Sequence, residues 1–229
     1  MKIIDLSHPI TSDMPVYPGD GSPVFTLESD RASSGYQVSR ISLNSHTGTH
    51  LDAPAHLLTD SRLIQDYPLS DFIGRGKVLD CSDQTEIGER WLQDALMHPT
   101  PEFILFHTHT SRYWGEDRYF HSYPVFSKKA AELLAKYPLK GIGIDAPSFD
   151  GPSSASYNNH IQFLGNGILL IENLCNLNCL LNNEFVFSCV PLPLPVSDGS
   201  PVRAFAIINE YYKNESSESR ERSPGNGST

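Results

Sequence analysis

Three histidines and an aspartate fall within the short segment HTGTHLDAPAH, His46 to His56, separated only by small residues, one leucine and one proline. Imidazole nitrogen and carboxylate oxygen are the donors that a zinc- or manganese-type ion takes. The segment has no cysteine, so the expected site is one of nitrogen and oxygen ligands that keeps a position open to water. That chemistry points to a metal-dependent hydrolase. His46, His50 and Asp52 are the expected ligands. His56, offset beyond Pro54, can serve as a fourth ligand or as a general base, and the base is preferred because imidazole titrates near neutrality. The competing reading is a polar strand edge whose histidines only hydrogen-bond.

The alternating stretch VSRISLN leads directly into this motif. If the chain stays extended, His46, Gly48, His50 and Asp52 share one face by the two-residue repeat of a strand, and Gly48 leaves room for an ion. Pro54 then turns the chain and brings His56 in from another direction. A helical arrangement of His46 and His50 is opposed by Thr47, Gly48, Thr49 and Pro54. Elsewhere, strands are expected over 3–6, 25–28, 36–44, 76–80, 103–108, 141–145, 168–172, 185–191 and 202–208. Helices are expected over 89–97 and 127–136, the latter capped by Ser127, with a helical turn over 69–73. Strands outnumber helices, so the fold expected is a compact α/β domain with a mixed sheet or barrel and flanking helices.

Further candidates lie outside the motif. Tyr17, in the turn-rich MPVYPGD, suits an aromatic wall. His160 follows a polar loop, and Glu172 ends the apolar run GILLIEN; by spacing alone either can be a ligand or a satisfied buried group. His107 and His109, in FHTHTSRYW, alternate as on one face of a strand and suit a second metal pair or a pocket wall. Asp145 and Asp150 can orient a histidine or accept backbone donors. Arg203 is read as a surface or subunit salt bridge on the one hand and a site residue on the other. No glycine stretch has the spacing of a dinucleotide or phosphate loop.

The chain has 229 residues, 39% of them hydrophobic, and a formal net charge of −10. That is enough for one core, expected over 1–212, followed by a polar tail over 213–229 with almost nothing to bury. Without a concentrated basic patch, neither nucleic acid nor an anionic membrane is an expected partner, whereas a small molecule is. The N-terminal residues lack the apolar core of a secretory signal, and the longest apolar run is too short to span a bilayer. Cys81, Cys175, Cys179 and Cys189 lie in or beside apolar runs and read as buried, reduced thiols, which suits the cytoplasm.

Taken together, the motif and its companions resemble the cyclase-family metal hydrolases, the group that includes bacterial kynurenine formamidase and isatin hydrolase. HTGTHLDAPAH resembles the HxGTHxDxPxH signature, and IIDLSHPI, YPGD, GIDAPSFD, His160 followed by LLIENL, and VPLPLPVSDGSPVRAFAI resemble family blocks in the same order. The resemblance implies a barrel-like mixed α/β fold of the swivelling β/β/α type, assembled as a homodimer or homotetramer. It implies one or two zinc or manganese ions, with His46, His50 and Asp52 on the first and Asp52, His160 and Glu172 on the second, and acid or base work for His56. The expected activity is hydrolysis of a small amide, N-formylkynurenine to kynurenine and formate first. An isatin-like lactam, a lactone, or a metal-containing binding protein without turnover are the alternatives. Two departures bear on the pocket: His107-Thr108-His109 stands where an RTG-like segment is usual, and Tyr17 stands where tryptophan is usual.

Overall fold

Short apolar runs bounded by glycine, proline and asparagine give strands rather than long helices. The computed structural model describes residues 1–59, 61–92, 96 and 101–208. Its strands are β1 (Lys2–Asp5), β2 (Val24–Ser29), β3 (Val38–Ser42), β4 (His50–Asp52), β5 (Ile73–Asp80), β6 (Glu86–Ile87), β7 (Phe103–His107), β8 (Val125–Phe126), β9 (Gly141–Ile144), β10 (Leu169–Glu172), β11 (Phe185–Ser188), β12 (Gly199–Pro201) and β13 (Phe205–Ile208). The α-helices are α1 (Arg31–Ser34), α2 (Lys128–Leu134) and α3 (Asn158–Gly165).

Nine strands form one mixed sheet in the order β1-β13-β11-β5-β7-β9-β10-β4-β12, curled into a half-barrel. The neighbours β5, β7, β9 and β10 run parallel, while β4, β12, β11, β13 and β1 join by antiparallel pairing. The mixed α/β architecture expected from the sequence is the one found. The parallel strands are apolar on both faces because both are covered. Ile104, Phe106, Ile142, Ile144 and Leu170 face one core with Ala130, Leu134, Phe163 and Leu164 of α2 and α3. Phe103, Leu105, Leu169, Ile171 and Phe187 face the other, lined from beyond by Leu6, Leu51 and Ala206. Burying each such Leu, Ile or Phe side chain stabilises the fold by about 1.5–3 kcal/mol. This double core fixes the carboxyl ends of the parallel strands, where an α/β sheet presents its chemistry.

Local departures from expectation have local causes. The chain is not extended from His46: residues 45–49 turn, with Gly48 at φ 65°, and only His50–Asp52 forms a strand. A Cβ on Gly48 would sit 3.3 Å from the Met14 methyl and in a backbone region side chains avoid, so glycine here shapes the turn. The helix expected over 89–97 is a 3₁₀ turn, Glu89–Trp91, and 93–95 and 97 lie outside the described residues. The helix starting after Ser127 is present, and the Ser127 hydroxyl accepts from the Ala130 amide at 3.2 Å. Helix α3 was not expected; its first residues are polar, and Tyr157 enters it in the left-handed region at φ 46°. The tail over 213–229 lies outside the described residues.

The hairpin β2–β3 stands apart as its own two-stranded sheet. Phe25 pairs with Ile41, and with Leu27 they form an exposed apolar face, while Glu28 and Arg40 form an ion pair on the other. Arg203 is on the surface, paired with Asp5 through Nη2 at 2.6 Å. Cys81, Cys175 and Cys189 are buried, Cys179 is exposed, against expectation, and all four are free. Among the described residues no helix is long and apolar enough to cross a membrane.

Candidate metal centre

The site is built on the seam between β4 and β10. Antiparallel register sets Glu172 opposite His50 and Leu170 opposite Asp52, and the two-residue repeat puts His50 and Asp52 on one side of the strand. His50 Nε2 lies 3.2 Å from Asp52 Oδ1 and 3.5 Å from Glu172 Oε2. Helix α3 brings His160 from the other side, its Nε2 3.0 Å from Glu172 Oε1 and 3.7 Å from Asp52 Oδ2. The turn before β4 brings His46, whose Nδ1 is 2.8 Å from Asp52 Oδ1. His46, His50, Asp52, His160 and Glu172, expected as ligands, therefore converge, with Asp52 in the middle.

Each histidine is oriented from behind. His50 Nδ1 donates to the Gly48 carbonyl at 2.8 Å, and His160 Nδ1 donates to Asp150 Oδ2 at 2.7 Å. Both rings thus turn Nε2 to the centre, as metal-ligating histidines do when a carbonyl or carboxylate holds the other nitrogen. Two sets of three donor groups have ligand atoms within 4.8 Å of one another: His46, Asp52 and His56, and His50, Asp52 and Glu172. Their nitrogen and oxygen atoms suit a divalent ion of the zinc or manganese type.

The electrostatics agree with that donor set. Burial alone would lower the pKa of His160, but Asp150, Glu172 and Asp52 outweigh it and raise the imidazole to about 10. Burial likewise opposes protonation of His46, yet Asp52 and Asp198 raise it to about 9. His50 is also raised, burial being outweighed by Asp52 and Glu172. Burial would raise Asp52, but His50 and His46 hold it well below the carboxylate range. Without an ion, protons on the imidazoles balance the buried carboxylates; a divalent cation is the other way to supply that charge.

His56 comes from the 3₁₀ turn Pro54–His56, its ring 4.0 Å from that of His46 and partly exposed to the cleft. Its Nδ1 is 3.2 Å from Asp198 Oδ2, the same oxygen that lies 2.9 Å from His46 Nε2. Sequence reasoning left Asp198 without a role. The signal was in SDG: a Cβ on Gly199 would lie 2.6 Å from His46 Cε1, so the glycine seats the ring that its neighbour binds. Burial would raise Asp198, but the bonds from His46, Ser45 and His56 hold it at about 2. Asn173 was also missed. Its side chain donates to Gly48 O at 2.9 Å and accepts from Tyr119 at 2.7 Å, fixing the turn that orients His50.

The cluster opens into a cleft of about 290 Å³ walled by Tyr17, Trp114, Phe120, Tyr157 and Leu57. Tyr17 stands in the wall, edge-on to Phe120. Trp114 stacks on His8 with ring centroids 3.9 Å apart, and burial lowers the His8 pKa to about 4. His107 and His109 are not among the residues lining the cleft. Strand β7 ends at His107, and His109 is left-handed at φ 67°, so the two do not continue one strand face. His107 Nδ1 bonds to Asp145 Oδ2 at 3.0 Å, and His109 Nδ1 faces Arg112 Nη1 at 3.2 Å. They do not form a second metal cluster among the described residues. Asp145 and Asp150 do orient histidines, as their position in GIDAPSFD suggested.

Known proteins share this arrangement of sequence and fold. A kynurenine formamidase of Geobacillus thermodenitrificans is 32% identical over 202 residues, which cover 88% of this chain and 95% of that one. Isatin hydrolase A from Labrenzia aggregata superposes with a TM-score of 0.82 at 25% identity, over 91% of this chain and 94% of that chain. The solved structure of a potential metal-dependent hydrolase with cyclase activity gives 0.76 at 27% identity, over 91% and 98%. The family model described as "Putative cyclase" matches residues 4–151. With the motif inside that match, and relatives spanning nearly the whole described fold, the chain belongs to the cyclase family.

Proposed function

We propose that this protein is a metal-dependent hydrolase of small aromatic amides, with N-formylkynurenine as the first substrate and an isatin-like lactam or a lactone as the alternative. The observation that carries this reading is the convergence of His46, His50, Asp52, His160 and Glu172 beside His56 at the floor of an aromatic cleft. One or two zinc or manganese ions held by those five residues would supply a Lewis acid that activates water and polarises a carbonyl. Tyr17, Trp114, Phe120 and Tyr157 bracket an aryl ring, orienting the carbonyl toward the cluster. Asp198 accepts from His56 Nδ1, which leaves Nε2 free to take a proton from the attacking water and return it to the departing nitrogen. The C–N bond breaks, giving a carboxylate and an amine.

The reading takes residues 1–212 as the working domain and a small molecule as the partner, with neither nucleic acid nor membrane involved. It places the work in the cytoplasm, supported by four cysteines without a disulfide. It also includes self-association as a homodimer or homotetramer, supported by the hairpin β2–β3. Two strands alone are at best marginally stable in water. Phe25, Leu27 and Ile41 leave an exposed apolar face on the hairpin, the kind of surface that a second copy of the chain would cover.

The test is hydrolysis of N-formylkynurenine by metal-depleted protein reconstituted separately with zinc and manganese, with metal content measured in the same samples. Metal-dependent release of formate supports the reading. Stoichiometric metal without turnover of this substrate, isatin or simple lactones would favour a binding protein.

A further inference from the structure

Tyr119 is fully buried and packs against two residues that line the cleft, Trp114 and Phe120. Its ring lies edge-on to each, with centroids 5.2 Å away in both cases. Its hydroxyl reaches in the direction of the metal centre and donates to Asn173 Oδ1 at 2.7 Å, a contact buried at both ends.

Asn173 in turn stands between two of the residues expected as metal ligands. It follows Glu172 directly and turns the chain at the end of β10 in the left-handed region, φ 56°. Its Nδ2 donates to the Gly48 carbonyl at 2.9 Å, and His50 Nδ1 donates to the same oxygen at 2.8 Å. The Gly48 oxygen can only accept, so the Asn173 amide must aim its nitrogen there and its oxygen at Tyr119, whose hydroxyl must then be the donor. The Asn173 backbone is pinned too: its N–H donates to the Ala146 carbonyl at 3.0 Å, and its carbonyl accepts from Thr49 Oγ1 at 2.6 Å. That Thr49 hydroxyl accepts from the amide of His8 at 3.0 Å, and the His8 ring stacks on Trp114. The aromatic wall and the two ligands therefore meet at Asn173 by two routes.

We propose that Tyr119 is a positioning residue: through Asn173 its hydroxyl ties the aromatic wall to His50 and Glu172, and so sets the place of a bound aryl amide relative to the metal centre. The inference rests on the amide-hydrolase reading for its kinetic side and deepens it. A wall that gripped the aryl ring but drifted against the ligands would still capture substrate, yet would lose the near-attack geometry on which the rate depends.

Tyr119→Phe tests this, because it keeps the ring and its edge contacts and removes only the hydroxyl. With zinc-loaded protein and N-formylkynurenine, kcat is expected to fall about tenfold while KM stays within about twofold. Zinc affinity is expected to weaken by about tenfold, the low end of the loss for an outer hydrogen-bond partner. A further readout needs no turnover: with cobalt(II) in place of zinc, the visible absorption bands report the ligand field and are expected to shift. Asn173→Gly, which suits the left-handed backbone, is expected to shift them too, and the double variant to be no worse than Asn173→Gly alone, since both changes cut one bridge. Should Tyr119→Phe not fold, Asn173→Gly decides by the same kinetic and spectral readouts. A shifted cobalt spectrum without hydrolysis by the unaltered protein supports the tie and counts against the proposed activity alone. An unchanged spectrum and kcat with only a lower Tm, a rise confined to KM, or additive losses in the double variant overturns the inference and leaves the hydrolase reading intact.

Discussion

The seam between β4 and β10 and the hairpin β2–β3 are both pairs of short antiparallel strands, yet they treat their side chains in opposite ways. At the seam each polar group is held more than once: His160 by Asp150 and Glu172, His50 by Gly48 and Asp52, His46 by Asp52 and Asp198. On the hairpin, Leu27 and Ile41 are each 57% exposed, and Val24 and Tyr36 are also left to solvent. The seam draws its order from a covered sheet and from hydrogen bonds that fix ring orientation. The hairpin is held by its own ladder and an exposed Glu28–Arg40 ion pair. The difference shows where precision is required: a site that positions several donors must be over-determined, whereas the interface proposed for the hairpin would need only shape and apolar area.

That contrast is most easily broken at Asp52. Asp52→Asn removes the carboxylate that touches three histidines, and turnover should fall by about three orders of magnitude together with bound metal, read by elemental analysis and formate release. Full activity with full metal content would end the assignment. Next, His56→Gln should cut kcat by about a hundredfold or more while metal content stays near that of the unaltered protein. Parallel loss of metal would make His56 a ligand, as its grouping with His46 and Asp52 allows. Asp150→Asn leaves every ligand donor in place but loosens the hold on the His160 ring and on the Asn159 and His160 amides at the start of α3, so metal affinity should weaken by about 10- to 100-fold.

The pH dependence sharpens the same side of the comparison. His46 and His160 are raised from 6.5 to about 9 and about 10. In metal-free protein the stabilisation from these charged imidazoles is complete below about pH 6.5 and is lost as pH rises through 9 to 10. Metal binding must displace those protons, so affinity should increase with pH over this window. Calorimetry in buffers of different ionisation enthalpy would count the protons released; binding with none released would contradict the arrangement. The smallest effect on catalysis belongs to the hairpin. Leu27→Ser with Ile41→Ser should shift sedimentation toward monomer yet change subunit stability by only about 0.5 kcal/mol, as surface substitutions do. An unchanged sedimentation profile would remove the hairpin from the interface.

How much could be read beforehand followed the range of each interaction. His46, His50, Asp52 and His56 were legible because they are near neighbours in sequence, and the buried strands because an apolar run of that length has few other uses. Their local geometry was less so: Gly48 reads equally well as a spacer in a strand and as the left-handed residue of a turn. Helix α3 was hidden by a polar first turn and by Tyr157 at a positive φ, which no residue-type preference announces. His160 and Glu172 were visible as candidates, but only the sheet and α3 put them beside Asp52. Asp198 is 152 residues from His46, and no spacing rule reaches that far. His107 and His109 misled because their alternation is that of a strand, while β7 ends between them.

The two donor groupings also differ in when they can exist. His46, Asp52 and His56 are encoded within one short segment, whereas Glu172 meets His50 only after β10 has joined the sheet, across the same span that places Thr49 against Asn173, 124 residues away. Closing so long a loop is slow compared with local turns. A chain still leaving the ribosome can thus offer the first grouping long before the second, and an ion held by the second would report that β10 has paired with β4.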